Sequence, residues 1–156
     1  MSNKIVSMGK PITAPCLIPV LHSATPNCIC EPFMACGQPY KVTALSFGTP
    51  HGAVFVDDVD SVDVPRVGSA LGNSTRFPQG ASIVFVQALD RENLKTRLWQ
   101  RGEGEAAYTS EAASVAAVSA MMLQKIYRSE AKVAMGGSVF RVNWDRATGD
   151  VRLAAA

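Results

Sequence analysis

The stretch SEAASVAAVSAMMLQKI, residues 110–126, decides the fold. Nearly every residue in it is a good helix former, and small or apolar side chains occupy all sides of the wheel at its centre. A helix with no polar stripe has to be enclosed by other elements. Strands are available to enclose it. YKVTALSF (40–47) and GAVFVDDV (52–59) are rich in β-branched and aromatic residues, and the intervening GTPH makes them a hairpin. SIVFVQALD (82–90) and LKTRLWQR (94–101) form a second hairpin, after which Gly102 and Gly104 break the pattern. Near the end, KVAMGGSVFRVNWDRATGDVRLA (132–154) gives two more strands around a Gly136–Gly137 break and the turn residues ATGD. Between the hairpins, Asp63 as N-cap, Pro65 in the first turn and Gly72 with Asn73 at the end mark VPRVGSAL as a short, superficial helix. The expected class is α+β: an antiparallel β-barrel-like sheet wrapped around a central hydrophobic helix, one domain over residues 1–156.

Composition narrows the function. The chain has 156 residues, 47% of them hydrophobic, enough for a core without covalent staples. Its net charge of +2 comes from interspersed residues, which argues against nucleic acid and anionic membrane as partners and leaves a small molecule or another protein. No apolar run approaches the roughly 18 residues of a membrane span, and MSNKIVSMGK has no signal-type apolar core, so a cytoplasmic location is expected. Cys28, Cys30 and Cys36 crowd into PNCICEPFMACGQP, but Cys-x-Cys is tighter than zinc-ligand spacing and neither His22 nor His51 completes a metal motif. The expectation is free thiols, no metal and no cofactor.

Five local patterns carry a family resemblance: MGKP (8–11), LSFGTPHGAVFVDDVD (45–60), RFPQGASIVFVQALDR (76–91), WQRGEGE (99–105) leading into the long helix, and MGGSVFRVNWD (135–145). In this order the chain resembles the carboxy-terminal half of a diaminopimelate epimerase. The resemblance implies a barrel wrapped round a hydrophobic helix, in a family whose members join two such domains with the active site between them. It also implies a cofactor-free reaction in which two cysteines, one from each domain, remove and return a proton on opposite faces of the α-carbon.

At the positions that this resemblance marks for chemistry, the sequence departs. The family pattern GETxACGTGxC reads GEGEAAYTSEAAS here, so Glu105 is kept and Thr109 stands where the cysteine would be. A thiol ionises near pH 8.5 and lower at a helix N-terminus, whereas a threonine hydroxyl needs a neighbouring base. Ser110, Glu111 and Ala112 replace the glycine-rich turn whose amides would wrap the substrate carboxylate. Glu111 is open to two readings, an acid or base and a helix-start residue stabilised by about 0.3–1 kcal/mol through the dipole. Thr49 and Ser82 stand at asparagine positions, Gln100 at a glutamate, and Arg101 alone is retained from that set.

Amino-acid epimerisation by the two-thiol route is therefore not expected, nor is tight binding of diaminopimelate. Three classes remain. The first is a repurposed isomerase, lyase or cyclase for a larger, less polar substrate, with Glu105, Glu111, Thr109 and Tyr108 as candidate acid, base and hydrogen-bond donors. Arg101, Thr49, Ser82, Gln100 and Ser110 would contact the substrate, and Met34, Met121, Met122 and Met135 are available to an apolar pocket. The second is a non-catalytic scaffold, and the third is one subunit of a split epimerase. A half that packs against a twin should expose an apolar surface when alone, so a homodimer is expected.

Overall fold

The computed structural model describes residues 4–21 and 26–156; His22 lies outside them. In chain order the elements are β1 (Val6–Gly9), β2 (Glu31–Ala35), β3 (Gln38–Ser46), β4 (Pro50–Phe55), α1 (Val64–Gly72), β5 (Ser82–Ala88), β6 (Asn93–Gln100), β7 (Gly104–Ala106), α2 (Ser110–Met122), β8 (Glu130–Met135), β9 (Ser138–Trp144) and β10 (Val151–Ala155). One mixed sheet runs β1-β10-β9-β8-β6-β5-β4-β3-β2, with β7 added beside β6.

The sheet curls around α2. Every residue from Ala112 to Met121 is buried, and the helix meets strands all along the sheet from β1 to β3. Alanine, serine and valine suit this position because small side chains let the sheet close on the helix from several directions. Leu45, Val84, Leu98, Val133, Val142 and Val151 complete that core.

Two pairings depart from the antiparallel expectation: β4 with β5 and β6 with β8 are parallel. Parallel neighbours need a long crossover, and a helix supplies it each time, α1 in the first case and α2 in the second. The sheet does not close into a barrel, since β1 and β2 remain its end strands. The segment after β1 nevertheless reaches the far side, where Ile12 and Ser46 exchange backbone hydrogen bonds of 2.8 and 3.0 Å.

The other short helix is not superficial. Asp63 caps α1 through the amide of Arg66 as expected, but Val64, Val67, Gly68, Leu71 and Gly72 are buried. A Cβ on Gly68 would lie 2.5 Å from Trp99 Cβ, and one on Gly72 would lie 2.3 Å from Trp99 Cζ3. The two glycines are a flat seat for that indole, in a second core with Phe33, Phe77, Ile83 and Phe85. Strand β5 is thus covered on both faces, which explains its continuous rather than alternating apolar run.

The three terminal strands are two hairpins, with Gly136 and Gly137 both at positive φ in the tight turn between β8 and β9. The cysteine-rich segment contains β2, an end strand that tolerates Pro32. Cys30 and Cys36 flank its two ends, roughly 20 Å apart at strand rise, and so cannot share one metal ion. Cys28 is buried, and desolvation raises its pKa. No helix among the described residues is long and apolar enough to cross a membrane.

Candidate functional site at the start of α2

Thr109 is the N-cap of α2. Its backbone is extended, at φ −141 and ψ 150, and its Oγ1 accepts the amide of Ala112 at 3.0 Å. The turn between β8 and β9 sets the approach to this helix, because a Cβ on Gly136 would lie 2.2 Å from the Ala107 carbonyl oxygen. Only glycine fits there. Tyr108 stacks on Phe140, with ring centroids 4.1 Å apart, and its hydroxyl is 2.9 Å from Ser110 Oγ. The Ser110 carbonyl in turn accepts the Ser114 hydroxyl at 2.8 Å.

Glu111 follows in the first turn, half-buried. Its Oε1 accepts both the backbone N–H of Thr49 at 3.1 Å and the Thr49 hydroxyl at 2.9 Å. The β3–β4 turn is thereby fastened to the start of α2. Thr49 also organises His51, a residue only 2% exposed. His51 Nδ1 lies 2.9 Å from the Thr49 carbonyl. A carbonyl only accepts, so this nitrogen carries the proton and Nε2 keeps its lone pair. Burial is the largest influence on the ring and lowers its pKa below the usual 6.5; the Thr49 carbonyl and the Glu111 charge oppose that, and Arg101 adds to it. The ring is held as a neutral imidazole.

The opposite wall comes from β5 and the end of β6. Ser82 pairs in register with His51, and its Oγ accepts the Arg101 amide at 3.0 Å. The Arg101 guanidinium donates to the Gln79 carbonyl at 2.7 Å. Gln100 pairs with Gly104, and its carbonyl accepts the amide of Glu103. Glu105 sits differently: Arg97 grips both its carboxylate oxygens, at 2.9 and 3.0 Å, while the same guanidinium donates to the carbonyls of Val59 and Val62. That arrangement ties β7 and β6 to the turn before α1.

The structure therefore gathers Thr49, His51, Ser82, Arg101 and Glu111, with Tyr108, Thr109 and Ser110 beside them in the chain. His51 stands outside the expected site residues, because it completes no metal motif and GTPH reads as a turn. Its signal was its place two residues after Thr49, on a strand of otherwise apolar character. The methionines do not form a pocket here. Met121 and Met122 end the 13-residue α2, about 18 Å from Thr109 at 1.5 Å per residue, Met135 is buried in the core, and Met34 is exposed on β2. Met121 and Met122 border instead a groove of about 470 Å³ with Gln124, Ile126, Tyr127 and Arg146, at the far end of the helix. Among the described residues no group of three His, Cys, Asp or Glu side chains could hold a metal ion.

Residues 43–154 match the diaminopimelate epimerase family. The chain belongs to that family. Over 148 residues it is 30% identical to the diaminopimelate epimerase of Oceanobacillus iheyensis, covering 92% of this chain and 52% of that protein. Against the diaminopimelate epimerase of Desulforapulum autotrophicum identity is 33% over 141 residues, covering 90% and 49%. The chain thus spans about half the length of the curated relatives it matches. Among solved structures, a predicted epimerase from Pseudomonas aeruginosa superposes with a TM-score of 0.60 at 16% identity, over 97% of this chain and 54% of that one. A Bacillus anthracis phenazine biosynthesis protein of the PhzF family gives 0.54 at 17% identity, over 75% and 46%. At those identities the two structures speak for the fold alone. Within this diaminopimelate epimerase family member, Thr109 occupies the helix start as a cap, its hydroxyl oxygen engaged by Ala112.

Proposed function

We propose that this domain is an isomerase-type proton-transfer protein, acting through its own side chains on a substrate less polar than an amino acid, and that it does not epimerise diaminopimelate by a two-thiol route. The observation that carries the reading is His51: buried, neutral, fixed in one tautomer by Thr49, with an unprotonated Nε2. An oriented imidazole is a general base that contributes about 10²–10⁴-fold to a proton transfer. The Tyr108 and Ser110 hydroxyls, 2.9 Å apart, are the neutral donors nearest the helix start. Thr109 has no such part, because its oxygen caps the helix.

The test is hydrogen exchange in D2O with carbon acids of low polarity, β,γ-unsaturated ketones and esters with and without an amino group, read by mass spectrometry. Enzymatic deuterium incorporation that falls at least about 100-fold in His51→Gln supports the reading. Incorporation into diaminopimelate at an enzymatic rate, or none into any of these compounds, sinks it.

A second copy of the chain would complete this site. Tyr108 (36% exposed) and Val139 (44%) leave apolar surface beside the start of α2. Light scattering at micromolar concentration should give twice the chain mass of 16.6 kDa; a monomer there argues against the dimer. The scaffold reading draws on one fact, that Glu105, Glu111 and Arg101 all hold other parts of the chain.

A further inference from the structure

Accepting the start of α2 as the ligand site, we infer that the group it receives there is an amine and not a carboxylate. The argument is one of donors and acceptors. A helix N-terminus ordinarily attracts an anion, through its free amides and the positive end of the dipole. This chain supplies that anion itself. Glu111 stands in the first turn, and the two Thr49 donors that could have served an external carboxylate, the backbone N–H and the hydroxyl, are both spent on Glu111 Oε1.

What remains open is the complementary set. Glu111 makes no ion pair among the described residues, and its Oε2 has no hydrogen-bond partner there. His51 is 2% exposed, and the one hydrogen bond of its ring among the described residues runs through Nδ1, so Nε2 has no partner there. Both groups hang from Thr49, one carboxylate oxygen and one bare imidazole nitrogen. Glu111 Oε2, charged and open, matches an ammonium group with its three donors, whereas a carboxylate brought to the same place meets a like charge. Nor does the glycine at 48 shield Glu111, since a Cβ there would stand 3.6 Å from Oε1 and the glycine leaves that flank bare. Arg101, held away by the Gln79 carbonyl, does not neutralise Glu111 through an ion pair. Within the proposed reaction the substrate is thus narrowed to a carbon acid that also carries an amine: the ammonium N–H bonds donate to Glu111, and the C–H made acidic by a neighbouring carbonyl faces His51, which takes the proton while the electron pair passes to the carbonyl oxygen, and later returns it.

A matched pair of probes tests this on the full chain: n-butylammonium chloride and sodium butyrate at pH 7, followed through the Thr49 amide and His51 ring signals by NMR. Butylammonium is expected to shift these signals saturably in the wild type, with affinity at least tenfold weaker in Glu111→Gln, which keeps an oxygen to accept from Thr49 and so preserves the turn. Butyrate is expected to shift them only in Glu111→Gln or Glu111→Ser. Butyrate binding to the wild type at these residues, equal butylammonium affinity in wild type and Glu111→Gln, or no saturable shift with either probe overturns the inference. Butylammonium binding without any deuterium exchange would sink the proposed reaction and leave the ligand assignment standing; exchange without charge preference would do the reverse.

Discussion

His51 Nδ1 donates to the carbonyl of Thr49 at 2.9 Å, and the residue is buried on β4, between Leu45 of β3 and Ser82 of β5. Burial lowers its pKa below 6.5, so the folded protein resists a proton that the unfolded chain accepts. The stability that follows is fully present above about pH 6.5 and is lost as pH falls through that value towards the folded pKa. One such group gives a slope of at most about 1.4 kcal/mol per pH unit. Urea denaturation at pH 5, 6 and 7 should show this decline in the wild type and a flatter profile in His51→Gln. Because the Glu111 charge raises the His51 pKa, Glu111→Gln should lower it further in an NMR titration; an upward move would contradict the geometry.

Thr109→Ala removes the oxygen that accepts the Ala112 amide and should cost about 1 kcal/mol, while Thr109→Ser should be close to neutral. Thr109→Cys restores a thiol yet leaves Glu111 in place. Thermal melts and an exchange assay with diaminopimelate are the readouts. The expectation is a lower melting temperature and no turnover.

Glu105 separates inherited position from present role. With Arg97 holding both its oxygens, Glu105→Gln should change stability by no more than about 1 kcal/mol and leave any exchange rate untouched. Arg97→Met should be the more damaging change, since the carbonyls of Val59 and Val62 also lose a donor. A rate that collapses in Glu105→Gln would restore that carboxylate to the list of acids and bases.

Gly72→Ala places a methyl group 2.3 Å from the Trp99 ring and should destabilise by at least about 1–3 kcal/mol. In a Trp99→Val background the same change should cost less, and the difference measures the contact. Equal costs in both backgrounds would mean that the helix shifts as a whole.

The sequence made α2 legible because a segment apolar on all sides has one solution, and it made the β3–β4 hairpin legible because turn residues separate two β-rich runs. It concealed the parallel pairings: strand composition carries no direction, and only the helices inside the crossovers impose it. It also concealed the inward face of α1, where Gly72 reads as a helix end and Gly68 as one more helix residue, yet both serve as a seat for Trp99. At the site, the replacements at Thr109 and Glu111 were visible as residue types. That Thr49 binds Glu111 across 62 residues was not, because no local spacing encodes a bond between a turn and a helix so far apart. The partner of Glu105 was hidden for the complementary reason, since nothing in WQRGEGE says that Arg97 takes both oxygens.

The pairing of Ile12 with Ser46 gives residues 9–12 a mechanical meaning. Anchored on one flank by β1 against β10 and on the other by β3, this short length acts as a drawstring, and its contour fixes how wide the sheet can open around α2. Lengthening it by even two residues would slacken the grip on a helix whose side chains are too small to fill the extra space.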